Sequence, residues 1–255
     1  MSEQTTQQTS TSFDLKVHDP TMLKEAVNII SEIVEEATFS IDEEGLHFRG
    51  MDPSHVCLAD FRSPNADYEK WEVRQPGNFA LRVDEFSKIL KSLKKKESLS
   101  LSFNEDFILN VKSPSMSMNL KTIEISSTDC PLPKINYNSK VVVSGQELSR
   151  ILKQIENVSD YVSIQTYNNR VIFSGKGDQG DVKIELEKGD PYLIELDVRE
   201  ESNSTYSLEY LLAFIKHTNK HTITLDFSTK QPIRLNAHLD QVTKIDYYLA
   251  PRVEN

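Results

Sequence analysis

Residues 39–50 read Phe-Ser-Ile-Asp-Glu-Glu-Gly-Leu-His-Phe-Arg-Gly, and residues 162–175 read Val-Ser-Ile-Gln-Thr-Tyr-Asn-Asn-Arg-Val-Ile-Phe-Ser-Gly. Each alternates apolar and polar residues, breaks at turn residues (Glu43-Glu44-Gly45 and Asn168-Asn169), then alternates again. That is the pattern of a strand–turn–strand hairpin. Phe48-Arg49-Gly50 and Phe173-Ser174-Gly175 stand 125 positions apart. A helical stripe precedes each hairpin: Leu23, Ala26, Val27, Ile30 and Ile33 before the first, Leu148, Ile151, Leu152 and Ile155 before the second. Apolar residues at i, i+3, i+4 and i+7 line one face of a helix.

A second pair of segments repeats at nearly the same spacing. Residues 84–96 predict an amphipathic helix with Phe86, Ile89, Leu90 and Leu93 on one face, followed by the strand pattern Leu99, Leu101, Phe103. Residues 207–220 predict another, followed by Ile223, Leu225, Phe227, and Leu101 and Leu225 are 124 apart. Two segment pairs sharing one spacing indicate an internal duplication. The fold class expected is α+β, with two helices and many short strands in each half. Residues 122–138, with Pro131 and Pro133 and no amphipathic period, predict a connector. The halves are then 13–121 and 139–255. Residues 1–12, rich in Gln, Thr and Ser, predict a disordered tail, with structure beginning near Phe13.

The whole chain has 255 residues, is 38% hydrophobic and 27% charged, and carries a net charge of −10. This composition is globular. No apolar run approaches the ~20 residues a membrane helix needs, and the N-terminus lacks a signal-peptide pattern, so a soluble intracellular protein is expected. Cys57 and Cys130 are too few for a disulfide framework or a structural zinc site. The acidic total argues against a simple nucleic-acid binder. Its distribution is uneven, however. The helical windows 21–33, 84–96, 145–157 and 207–220 carry −1, +3, 0 and +1, so they sum to +3 and the remainder carries −13. Lys88 with Lys91, and Arg150 with Lys153, are spaced three apart and share helix faces. Such faces are either ordinary solvated surfaces or a lining that tracks a phosphate backbone.

The other motifs favour plain structural readings. Gly175-Lys176-Gly177-Asp178-Gln179-Gly180 matches G-x-G-x-x-G, but the following Asp-Val-Lys-Ile-Glu-Leu-Glu alternates as a strand. A dinucleotide site needs a helix there, so a hairpin loop is expected. His217 and His221 are spaced i, i+4, yet Lys216 and Lys220 beside them would repel a cation, so no metal is expected. No catalytic constellation, and hence no enzyme activity or cofactor, is indicated. Met116, Met118 and Leu120, and likewise Val182, Ile184 and Leu186, alternate strictly with polar residues. These strands are either simply half-buried or sheet edges open to another subunit.

Three stretches together resemble the proliferating cell nuclear antigen family of DNA sliding clamps: Met51-Asp52-Pro53-Ser54-His55-Val56-Cys57-Leu58, Phe86-Ser87-Lys88-Ile89-Leu90-Lys91, and Tyr247-Tyr248-Leu249-Ala250-Pro251-Arg252-Val253-Glu254. The resemblance runs from Phe13 to Glu254 and is closer to archaeal members. It implies two tandem processivity-fold (DNA clamp) domains, helices packed on antiparallel sheets, and three subunits closed head-to-tail around duplex DNA. It implies a homotrimer that tethers DNA polymerase, clamp loader, flap endonuclease and ligase; one subunit of a heterotrimeric or checkpoint-type ring is the alternative. The compartment would be cytoplasmic for an archaeal protein and nuclear for a eukaryotic one. Lys24, Lys88, Lys91, Arg150, Lys153 and Lys216 match DNA-facing positions, and charge pattern adds Lys220 and the run Lys94 to Lys96. Ser31 and Glu209 depart from basic residues of some relatives. The partner-peptide pocket implied comprises Met51, His55, Val56, Leu58, Cys130, Leu132, Tyr137, Pro232, Tyr248, Ala250 and Pro251. It would take a peptide with a Gln and two aromatic anchors. Cys130-Pro131 replaces a commoner Leu-Gly pair. Segments 113–121 and 180–186 match the edges that pair between subunits.

Overall fold

The two quoted segments are hairpins with one register. In the computed structural model, which describes residues 11–94, 97–104, 106–125, 130–178 and 180–252, Phe39 pairs with Phe48 and Ile41 with Leu46 across β2 (Glu36–Ile41) and β3 (Gly45–Met51). Ile164 pairs with Phe173 and Thr166 with Val171 across β11 (Tyr161–Tyr167) and β12 (Arg170–Gly177). All four partners keep the 125-residue offset. The first turn is closed by Asp42, whose Oδ1 accepts the backbone N–H groups of Glu44 and Gly45 at 2.8 and 3.0 Å.

The remaining strands are β1 (Ser12–Val17), β4 (Cys57–Pro64), β5 (Lys70–Gln75), β6 (Gly77–Arg82), β7 (Leu99–Phe103), β8 (Ile108–Ser113) and β9 (Met116–Lys121) in the first half. The second half holds β10 (Ser139–Ser144), β13 (Gly180–Glu187), β14 (Leu193–Val198), β15 (Ser202–Ser207), β16 (Thr222–Phe227), β17 (Ile233–His238) and β18 (Lys244–Leu249). All pairings are antiparallel. One sheet runs β5-β1-β7-β8-β9 and another β13-β12-β11-β15. The third has nine strands, β14-β10-β16-β17-β18-β4-β3-β2-β6, and passes from one half to the other where β18 pairs with β4.

Four helices, α1 (Thr21–Ser31), α2 (Val83–Ser92), α3 (Gly145–Glu156) and α4 (Leu208–Thr218), form a row in the order α2-α1-α4-α3. Their apolar stripes are buried as expected: Leu23, Ala26, Val27 and Ile30 on α1, Leu148, Ile151, Leu152 and Ile155 on α3. These side chains join one continuous core with the inward faces of the sheets, which supplies the main stabilising term.

Three expectations need correction. The N-terminal tail is shorter than residues 1–12 imply: Thr11 is buried and donates to the Asn78 carbonyl at 3.1 Å, and Ser12 begins β1 opposite Gln75; residues 1–10 lie outside the described residues. The helix expected over 84–96 ends at Ser92, because Leu93 is extended (φ −65°, ψ 136°). Continuing it would stack Lys91, Lys94 and Lys95 at mutually repelling i, i+3, i+4 positions. Instead Glu97 accepts from the Lys94 amide and the Ser115 hydroxyl and turns the chain into β7. The strand expected over 113–121 is two strands joined by a turn at Pro114-Ser115. The described residues of the predicted connector hold no helix or strand, with one isolated bridge in which the Ile123 N–H donates to the Ala80 carbonyl of β6 at 2.9 Å.

Candidate nucleic-acid interface and docking groove

The outward face of the helix row carries the candidate DNA-facing cations. Lys88, Lys91, Arg150, Lys153, Lys216 and Lys220 are exposed and Lys24 is half-buried. Lys94 is exposed just past the end of α2, and Lys95 and Lys96 lie outside the described residues. Four of the cations are already engaged. Lys88 donates to Asp84 at 2.8 Å one turn earlier, and Arg150 binds Glu147 and Gln154 on its own helix. Lys216 and Lys220 reach across to α1, where they meet Glu32 at 2.9 Å and Glu25, respectively. Lys24, Lys91 and Lys153 make none of the ion pairs found among the described residues. His217 and His221 also turn to α1, with Nε2 at 2.9 Å from Glu32 and 2.7 Å from Glu25. Burial alone would raise the Glu32 carboxyl, but hydrogen bonds from His217 and Lys216, with their charge, hold it below the ordinary glutamate value.

A cavity of about 750 Å³ opens between the end of α1, the loop at Asp52 to Ser54 and the start of α4. Glu32, Asp52, Glu156, Asp160 and Glu209 line it against Lys216. Glu209 therefore contributes to an acidic rim around the start of α4.

The candidate docking groove lies on the opposite face of the nine-stranded sheet. Met51, Leu58, Tyr248 and Arg234 stand in one cross-strand row over β3, β4, β18 and β17. Leu58 and Tyr248 are 3% and 8% exposed yet lie outside the main core. The Ala250 N–H donates to the Val56 carbonyl at 2.9 Å, and the Arg252 N–H to the Thr205 carbonyl at 2.8 Å. The C-terminal segment therefore bridges the two halves, with Pro251 between its anchors. Pro232 is half-buried beside β17, and Tyr137 lies at 5.9 Å from the Arg234 guanidinium. Cys130 and Leu132 are half-buried where the connector resumes, and residues 126–129 lie outside the described residues. His55 is exposed, in the left-handed region at φ 57°.

Two residues missed by sequence reasoning organise this groove. Asp52 is 4% exposed. Its Oδ1 accepts the N–H groups of Val56 and Cys57 at 2.7 and 2.6 Å, and its Oδ2 accepts the Ser54 N–H and the Tyr210 hydroxyl, each at 3.1 Å. An Asp heading a Pro-Ser loop is a turn signal that could have flagged it. Arg234 donates to Asp226 through Nε and Nη2 at 3.1 and 2.7 Å while its guanidinium faces Tyr137. Nothing in the local sequence marks it, because its partners come from three separate segments. Cys57 faces the core beneath the loop, and burial together with the Asp52 charge pushes its thiol up to about 12. Such a thiol is poorly suited to nucleophilic chemistry.

The two strands expected as subunit contacts are sheet edges. Among the described residues β9 pairs only with β8, and β13 only with β12. Met118 is exposed and Met116, Val182 and Ile184 are half-buried. Leu120 and Leu186 are 6% and 3% exposed and pack into the chain's own core, so they cannot offer side-chain contacts to a neighbour. The glycines of the G-x-G-x-x-G motif serve the β12–β13 hairpin, where Gly177 pairs with Gly180.

This arrangement of duplicated halves, helix row and open edges has known counterparts. The family described as "Proliferating cell nuclear antigen, N-terminal domain" matches residues 12–140, and "Proliferating cell nuclear antigen, C-terminal domain" matches residues 131–252. The chain belongs to the proliferating cell nuclear antigen family. It is 42% identical over 247 residues to a DNA polymerase sliding clamp of Nitrosopumilus maritimus, covering 96% of this chain and 100% of that protein. It is 39% identical, with the same coverage, to one of Cenarchaeum symbiosum. The crystal structure of proliferating cell nuclear antigen from Thermococcus kodakaraensis superimposes with a TM-score of 0.90 at 22% identity, over 94% of this chain and 100% of that one. A structure of the A. fulgidus protein bound to the C-terminal region of FEN-1 gives 0.88 at 25% identity, over 95% and 99%.

Proposed function

We propose that the chain is a DNA polymerase sliding clamp that encircles duplex DNA and tethers replication and repair enzymes to it. The observation that carries this reading is the row of four helices from two copies of one unit, its core face apolar and its other face studded with Lys88, Lys91, Arg150, Lys153, Lys216 and Lys220. Three such rows joined head-to-tail through β9 and β13 would line a hole. A heterologous contact closes into a ring when its rotation permits. Encirclement retains the clamp topologically, so its phosphate contacts need only be weak and sequence-blind, which favours sliding over arrest. The acidic remainder of the chain disfavours DNA on the outside.

Tethering falls to the groove over Met51, Leu58 and Tyr248, with Val56, Ala250 and Pro251 at its rim. An apolar pocket filled by an aromatic anchor suits a short partner peptide. Flap endonuclease is the partner class best supported, because a relative has been solved with the C-terminal region of FEN-1. DNA polymerase, clamp loader and ligase would share the site through similar peptides.

The solution mass of the isolated chain, with DNA association of the variant Lys88→Glu/Lys91→Glu, tests the reading. Three chains of 29.2 kDa and weakened DNA association with the ring intact are expected. A mass of one chain would favour a subunit of a heterotrimer, and loss of the ring without a DNA-specific defect would overturn the lining.

A further inference from the structure

We propose that Glu25 and Glu32 are built-in competitors for the DNA phosphates: they neutralise Lys220 and Lys216 when no phosphate is near, and so limit how tightly the lining grips DNA. The inference rests on the reading of the helix row as the DNA-facing surface.

The internal repeat provides the first argument. Matching the buried stripes Leu23/Leu148, Ala26/Ile151, Val27/Leu152 and Ile30/Ile155 places Glu25 where the second half has Arg150, and Glu32 where it has Asn157. Matching Phe86/Leu211 and Leu90/Ile215 makes Lys91 and Lys216 equivalent. Two copies of one scaffold thus present the same cation twice. Lys216 lies 2.9 Å from a carboxylate, whereas Lys91 has no ion-pair partner among the described residues. Lys216 meets its acid, Glu32 at the end of α1, across the contact between α4 and α1, a contact that α2 does not make on that side.

The geometry provides the second. Each carboxylate is shared by a lysine toward solvent and a histidine toward the core. The side chains of His217 and His221 are only 14% and 16% exposed, against 64% and 53% for Lys216 and Lys220. When a phosphate draws the lysine away, the carboxylate keeps its imidazole partner. No buried acceptor is orphaned, so the exchange carries little of the cost that usually attends breaking a partly buried pair. The histidine-anchored glutamate stays and the flexible lysine moves. Ion pairs within a single exposed helix face, such as Asp84 with Lys88, lack this anchor and contribute little.

The test measures association of the assembled full-length protein with a short blunt-ended duplex across a salt series. Glu32→Gln is expected to raise affinity about fivefold at ~0.15 M salt and to steepen the slope of log K against log salt by about 0.9 per freed cation. Glu25→Gln should act in the same direction. Glu32→Gln/Lys216→Gln should return to within about twofold of the parent, a restoration that a merely structural role for Glu32 would not give. Because Glu25 is nearly buried and its variant can fail to fold, Glu32→Gln alone decides. Unchanged affinity and slope in Glu32→Gln, alongside weakened binding in Lys88→Glu/Lys91→Glu, overturns the competitor role and leaves the DNA-facing reading standing. If the lysine variant is also unchanged, both fall.

Discussion

Tyr248 of β18 stands directly opposite Leu58 of β4, so this pair lies at the seam between the two halves and would form the floor of the proposed docking groove. The two side chains are shielded from water although neither belongs to the main core. Cross-strand neighbours of this kind contribute roughly 0.2–1 kcal/mol each. The seam is therefore held chiefly by its ladder and by Cys57 and Leu249 on the inward face, also directly opposite one another. Groove and scaffold can be perturbed separately if the substitutions stay on the rim.

Such rim substitutions are Leu132→Asp and Pro251→Asp. Placing a charge beside an apolar anchor costs the desolvation of that charge, and anchor positions are typically worth about 2 kcal/mol or more. Titration calorimetry with a peptide carrying a Gln and two aromatic residues should show a loss of roughly thirtyfold or greater, the equivalent of ~2 kcal/mol. The melting temperature should hardly change. Undiminished affinity would move the groove elsewhere.

The two edge strands call for a different readout. Met118 and Ile184 project from edges whose backbone groups on one side have no partner strand among the described residues. Met118→Asp or Ile184→Asp would place an unpaired carboxylate into the proposed intersubunit ladder. Each alone is expected to reduce the solution mass from three chains to one, because head-to-tail closure needs both edges. Folding should persist, since Leu120 and Leu186 hold the same strands to the core. A trimer surviving both changes would place the subunit contact on another surface.

Much of the fold was legible in the sequence because hydrophobic period reports which face is buried. The stripes at Leu23 to Ile30 and Leu148 to Ile155 are buried, and the hairpins keep the 125-residue offset in their register. The end of α2 was not legible: Leu93 continues the apolar stripe, and only lysine repulsion and the Glu97 contacts turn the chain out of the helix. The lining charge was half legible. A count of Lys and Arg finds the cations but not that Glu25 and Glu32, almost two hundred residues earlier, neutralise two of them. For the same reason Arg234 escaped notice, since its role is defined by Asp226, Tyr137 and Tyr248 together.

The α1–α4 seam predicts an acid dependence of stability. Glu32 titrates below its ordinary value of 4.5 in the folded chain, whereas the unfolded chain holds it near that value. A carboxyl depressed in this way stabilises fully above its unfolded value, and the contribution is lost as pH falls through the folded one. The melting temperature should therefore fall on acidification below 4.5, and Glu32→Gln should lower the neutral plateau slightly and shallow that limb. An acid limb of unchanged steepness would mean that other carboxylates govern it.

Gly177→Ala tests why the glycine motif exists. A Cβ at Gly177 would lie 1.8 Å from the Val158 carbonyl oxygen, and one at Gly175 would lie 2.3 Å from Ile155 Cγ2. Strand β12 passes so close to the end of α3 that no side chain fits, and the obstacle at Gly177 is backbone that cannot rotate away. Overpacking of this kind costs about 1–3 kcal/mol, or more where backbone must shift. For a chain of this size ~1 kcal/mol corresponds to roughly 2–4 °C, so thermal unfolding should drop by several degrees. Association with nucleotide should be absent before and after the change, because β13 stands where a phosphate-binding helix would be needed. Tight nucleotide binding abolished by Gly177→Ala would instead give the loop a ligand. An unaltered melting temperature would show that β12 and α3 can separate to admit the methyl group.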